Sequence, residues 1–107
     1  MKNNIEQLLN IAVQANERFM QRFISLSTTV GLLDKALRKQ GNNSEAITID
    51  NAKLGKKLMF IILDEQPDIV GVGVGKIGTE DFTFLGQYNF EQVSETIMLD
   101  LLTENLV

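Results

Sequence analysis

The sequence predicts an α+β domain, and three patterns in it carry that expectation. Apolar residues recur at alternating spacings of four and three through the first third of the chain. Two alternating segments, about 69–77 and 82–88, flank a Gly-Thr-Glu-Asp turn and predict a small antiparallel sheet centred on that hairpin. A last apolar stripe follows an asparagine with a glutamine three residues on, the pattern of a helix start.

The first element is a heptad seam of Ile5, Leu9, Ala12, Asn16, Phe19, Phe23, Leu26, Val30, Leu33 and Leu37. Its far side, Gln7, Gln14, Gln21, Thr28 and Lys35, is polar, which makes the predicted N-terminal helix amphipathic. Leu8, Val13, Ala15, Met20 and Ala36 widen the apolar stripe, so it suits a bundle or a sheet better than a two-stranded coiled coil. A helix over about residues 3–39 would run ~55 Å, whereas a domain of this length is roughly 35 Å across. Either the helix breaks within Ser25 to Gly31, where hydroxyl caps and weak helix formers cluster, or it projects and pairs with another subunit. The unbroken phase of the seam favours the second. Residues 1–40 thus read as a long helix or helical hairpin, and 44–107 as a small α+β unit within the single domain 1–107.

Gly41-Asn42-Asn43-Ser44 reads as a loop, and Ala46 to Ile49 alternates as a short strand. Residues 51–64 admit two readings. Asp50 could cap a helix through Leu54, Leu58 and Ile61, or Leu58 to Leu63 could be a buried strand. The cap before the segment, with Asp64 to Asp68 and Pro67 after it, favours the helix. In the hairpin, pairing Ile77 with Phe82 sets Gly75 opposite Phe84 and Gly71 opposite Tyr88, so that rings cover glycines on the face expected to be the core. Asn89 then caps the last helix, whose stripe is Val93, Ile97, Met98 and Leu101.

Composition narrows the chemistry. The 107 residues include no cysteine and no histidine, which removes thiolate nucleophiles, disulfides, the commonest general base and the commonest transition-metal ligand. The absence of cysteine suits a cytoplasmic protein, and no membrane segment is expected, because the longest apolar run, Leu58 to Leu63, is far short of a span. The net charge of −4 is uneven: residues 1–57 hold nine bases and five acids, and residues 58–107 hold nine acids against Lys76 alone. Two halves that attract each other on folding or assembly account for this, as does an acidic face for a basic partner.

Gly73-Val74-Gly75-Lys76-Ile77-Gly78 matches G-x-G-x-x-G in letters, but it lies in a strand and leads to another strand instead of opening a helix. The P-loop pattern fails too, with Val70 at its first glycine and Ile77 at its hydroxyl position. Asp64, Glu65 and Asp68 are separated from Glu80 and Asp81 by a strand's length of ~26 Å, too far to form one metal or acid–base site. Asn16 is the polar residue of the seam; it either fixes the register of an assembly or bonds a backbone carbonyl. The basic residues of the first half lack interleaved exposed aromatics, which argues against nucleic acid.

The expectation is therefore a non-enzymatic, homo-oligomeric protein-binding factor, an accessory or inhibitor of the size phages and mobile elements encode, with no catalytic residue, cofactor or metal. Its interface would use Leu9, Asn16, Phe19, Phe23, Val30 and Leu37, and its partners would be a second copy and another protein. The alternative is a binder of a small, nucleotide-type anion at the glycine-rich hairpin, using Arg18, Arg22, Gly73, Gly75, Lys76, Phe84 and Tyr88.

Overall fold

In the computed structural model, which describes residues 2–33, 44–79 and 82–107, one helix precedes and one follows a five-stranded antiparallel sheet. Helix α1 is Lys2–Arg22, followed by strands β1 (Thr28–Leu33), β2 (Ser44–Asn51), β3 (Lys56–Leu63), β4 (Gln66–Lys76) and β5 (Phe82–Asn89). A 3-10 turn, Phe90–Gln92, leads into helix α2, Glu95–Asn105. The strands lie in the sheet in chain order, a meander with β1 and β5 at its edges. The α+β class and the hairpin of β4 and β5 are as the sequence predicts.

The long helix is not. It stops at Arg22, and Thr28–Leu33, which the heptad spacing places on the same helix, is a strand paired with β2. Thr28, Thr29 and Val30 are β-branched in succession, and a segment that pairs through its backbone gains more as a strand than as a third turn-rich stretch of helix. At 21 residues the helix is ~32 Å long, which fits beside a chain whose longest extent is 38 Å. Its apolar side is covered at home: Leu8, Ala12, Ala15 and Phe19 are fully buried, and Leu9 and Phe23 are partly buried against the same core. Val30 reaches that core from β1. Leu37, the last residue of the predicted seam, lies outside the described residues. The length mismatch that pointed to self-association through the helix therefore disappears.

Asn16 has a local role. Buried at 7% exposure, it donates from Nδ2 to the Thr28 carbonyl at 3.2 Å and accepts from the Thr28 hydroxyl. It bonds α1 to the first residue of β1, which is the backbone-carbonyl alternative of the two the sequence allows.

Residues 56–63 are strand, not helix. Asp50, which reads as a helix cap, lies within β2 opposite Lys57, and a turn follows it: Asn51 Oδ1 accepts from Leu54 N at 3.3 Å, Gly55 N donates to Ala52 O at 3.2 Å, and Gly55 closes the turn at φ +67°. Strand β3 is central and buries Leu58, Phe60 and Ile62 toward the helices and Met59 on its other side. A strand flanked on both sides and buried on both faces reads as a continuous apolar run, which is why its period could not be seen. Pro67 does not end a helix either; it is the second residue of β4, next to the register shift between Ile61 and Leu63. An edge of irregular pairing tolerates a residue without N–H.

The helical side of the sheet carries Ile47 and Ile49, Leu58 and Phe60, and Val70 and Val72, packed against α1 and α2. At the C-terminal end Gln92 Oε1 accepts from Asn89 N at 3.1 Å, as the capping pattern predicts, but this closes only the 3-10 turn. Helix α2 has its own cap, Ser94 Oγ accepting from Ile97 N at 3.2 Å. Arg18 of α1 meets Glu95 of α2 at 3.1 Å, an exposed pair that joins the basic and acidic halves and is worth a fraction of a kcal/mol. Among the described residues, no helix is long and apolar enough to cross a membrane.

Candidate functional site

The hairpin puts Phe82 and Phe84 on the side of the sheet away from the helices, opposite to the expectation, while Tyr88 packs against the core. Valines 70 and 72 fill the core at 0% and 1% exposure, while Phe82 and Phe84 are 43% and 60% exposed. The cause is where the helices land. Glycines 71, 73 and 75 cannot fill a core with side chains, whereas the valines between them can, so the helices cover the valine side.

The predicted covering of glycine by rings does hold, with other partners. Gly75 pairs with Phe82, Gly73 with Phe84 and Gly71 with Gln87. A Cβ on Gly73 would lie 2.9 Å from Phe82 Cε2, and one on Gly71 would lie 3.6 Å from Phe84 Cε1. The register differs from the expected one because Phe82 pairs two residues earlier on β4, with Gly75 instead of Ile77, and because β5 carries an extra residue, Leu85, opposite the step from Val72 to Gly73. That bulge places Leu85 on the helical side and is relieved at Gly86, whose φ of +153° favours glycine.

The open side is therefore a built surface. In register across this face run Leu33, Ala46, Ile61, Gly71 and Gln87, and next to them Gly31, Thr48, Met59, Gly73 and Phe84; Ala46, Thr48 and Met59 are buried, and the face is open toward β4 and β5. Ile61, Leu63, Ile69, Phe82 and Phe84 surround a cavity of about 220 Å³ at the β4–β5 side, whose floor is Gly71. No described helix or strand lies over it, and β5 bears no charged residue from Phe82 to Asn89.

The next row across the sheet runs Thr29, Asp50, Lys57, Gly75 and Phe82, polar over its first three positions. Asp50 Oδ1 is buried without a hydrogen-bond partner, and loss of water pushes its carboxyl above the usual range, while the facing Lys57 ammonium opposes this. Lys57 is held in turn by the Thr79 carbonyl at 2.6 Å. A carboxyl whose pKa is raised on folding adds stability below its unfolded pKa, and that stability is lost as the pH rises through the folded value. Asp50→Asn removes this loss. We expect the variant to be more stable than the parent near neutral pH, with the difference shrinking on acidification through the carboxylate range, as read by urea unfolding across pH. A difference that does not change with pH would contradict it.

The residues proposed for an anion do not converge. Arg18 and Arg22 lie on α1, Tyr88 pairs with Val70 on the helical side, and Gly73, Gly75 and Phe84 belong to the open face. Lys76 instead faces Lys56, its direct partner across β3 and β4. Both lie at the end of the sheet beside Leu54, Val74, Ile77 and Thr79, around a cleft of about 510 Å³. Ile61, Leu63 and Ile69 of the apolar patch, and Lys56 of this cleft, are absent from the sequence-based set. Their signal is register, which links residues twenty positions apart. Glu80 and Asp81 lie outside the described residues, and among those described no group of three His, Cys, Asp or Glu is placed to hold a metal ion.

No family model, curated protein sequence or solved structure shows significant similarity to this chain.

Proposed function

We propose that this chain is a non-enzymatic protein-binding module that acts as a homodimer, two copies meeting through the open faces of their sheets. The observation that carries this is the uncharged patch of Ile61, Leu63, Ile69, Phe82 and Phe84 on a face that no described element covers. Exposed aromatics gathered in one patch favour association. A second copy is the occupant that fits. The patch holds no charge, so two chains of net charge −4 can meet there without setting like charges face to face, and a partner of either sign would gain nothing from it. The result would be a sheet-on-sheet core with the helices outside. An accessory or inhibitor role follows from such a body, which offers its helical and acidic outer surfaces to a further protein.

Sedimentation equilibrium over a range of concentrations tests this. A dimer is expected, and Phe84→Ser should weaken it by ~30-fold or more, the loss of one aromatic anchor. Leu32→Ser, at an exposed apolar residue on the helical side of the sheet, should not. A monomer at every concentration, or a dimer indifferent to Phe84→Ser, would refute the proposal.

A further inference from the structure

The end of the sheet away from the apolar cavity holds a second unassigned feature. Lys56 and Lys76 are direct cross-strand partners, on the helical side by their parity with Leu58 and Val74. Like charges directly opposite on a sheet destabilise it. The chain has fourteen acidic residues to ten basic ones, and it places a carboxylate, Asp50, opposite Lys57 on the other face. Yet among the described residues neither Lys56 nor Lys76 has an ion-pair partner. The direct partner of Lys56 on β2 is Asn51, whose side-chain amide is already engaged by the Leu106 carbonyl and the Leu54 amide.

The two ammonium groups rim the cleft of about 510 Å³, within the size range of small-ligand sites. Its floor is apolar and open to water: Leu54 is 45% and Ile77 37% exposed, with Val74 between them. A second cleft of about 410 Å³ continues past Lys76 along Val74, Thr79, Phe82 and Thr83. The cleft is framed by backbone that does not need to reorganise: Gly55 turns at φ +67°, and its carbonyl accepts from Ile77 N at 2.9 Å, joining the two turns.

We propose that this cleft binds a small organic phosphate, with the phosphate between the Lys56 and Lys76 ammonium groups and an apolar or aromatic body on Leu54, Val74 and Ile77. The bound anion turns a repulsive pair into a bridged one, and the exposed floor gains cover. A bare anion would leave the floor wet, and a neutral apolar compound would leave the lysines opposed, so both halves of the ligand matter. Lys56 and Lys76 lie on the helical side of the sheet, apart from the Ile61, Leu63, Ile69 and Phe84 of the dimer proposed above.

Isothermal titration of the full chain at low salt, with ADP, inorganic phosphate and adenosine as separate probes, tests this. ADP should bind at least about tenfold more tightly than either fragment, and more weakly as salt is added. Lys56→Gln and Lys76→Gln should each weaken ADP by about tenfold or more, whereas Arg22→Gln, on α1, should not. The same two lysine variants should melt no lower than the parent without ligand, since each removes a repulsion; this separates a binding role from a structural one. No binding of ADP overturns the proposal, as does binding that survives both lysine substitutions. Inorganic phosphate binding as tightly as ADP overturns the role of the apolar floor. Cosedimentation with vesicles of phosphatidic acid in the absence of ADP binding overturns the small-molecule assignment in favour of a lipid surface.

Discussion

Phe60→Ala should cost about 3–5 kcal/mol, the range for emptying the site of a buried phenylalanine, and so remove a large part of the ~5–15 kcal/mol that stabilises a domain of this size. Phe60 is fully buried in the central strand, with Ile47 opposite it on β2 and Val72 opposite it on β4. All three lie in the single core beneath the helices. Neighbours on both sides are held by ladder hydrogen bonds, so the sheet cannot close around the missing ring, and helices cannot drop into a gap between strands without losing their other contacts. The companion variant Ile61→Ala distinguishes a strand from a helix at this position. Ile61 is the next residue but sits on the open face, in register with Ala46 and Gly71, and is only partly buried. Its truncation should cost ~1 kcal/mol, the transfer energy of a partly covered side chain. Urea unfolding of the monomer at low concentration reads both. Equal losses from the two variants would mean that the segment does not alternate, and the strand would be wrong.

What could be read in advance follows from how far each signal reaches along the chain. The hairpin was legible because Ile69 to Ile77 alternates over nine residues and needs no outside partner to be recognised. The close of the C-terminal region was legible in part: Asn89 and Gln92 make the expected reciprocal contact, but the chain needs a second cap at Ser94 to enter the helix. The end of α1 was hidden because Val30 keeps the heptad spacing by coincidence while contributing to the core from a strand. The β-branched Thr28-Thr29-Val30 was the better guide, and spacing outweighed it. Strand β3 could not be resolved, since burial on both faces erases the period that would identify it.

The candidate surface shows the same division. Phe82 and Phe84 were visible as rings that could cover glycines, and they do. Which face they covered was not, because that depends on which side the helices occupy, and the alternation of glycine with valine is equally strict on both. The bulge at Leu85 breaks no pattern of letters, yet it moves Gln87 to the glycine side and Tyr88 to the valine side. The opposition of Lys56 and Lys76 exists only once β3 and β4 are paired.

Asn51 is the second residue whose loss should be severe, at ~2–3 kcal/mol for Asn51→Ala, the cost of leaving a buried polar partner unsatisfied. It is fully buried at the end of β2 and joins three parts of the chain. Its Nδ2 donates to the Leu106 carbonyl at 2.7 Å, its Oδ1 accepts from Leu54 N at 3.3 Å, and its backbone is in register with Thr28 and Lys56. Leu54 is exposed and its amide can turn to water, so the damage falls at Leu106, whose side chain is fully buried beyond the end of α2. The residues after α2 should lose hydrogen-exchange protection before the sheet does. Asn51→Asp separates the two bonds. The carboxylate can still accept from Leu54 N, but it cannot donate, and it sets a buried negative charge against the Leu106 carbonyl. At neutral pH it should be worse than alanine. On acidification the protonated carboxyl can donate to that carbonyl, so the aspartate variant should recover stability relative to alanine as the pH falls, the sign expected of a group whose folded pKa is raised. If the aspartate variant matched the parent at neutral pH, the bond to Leu106 could not be what holds the C-terminal residues on the sheet.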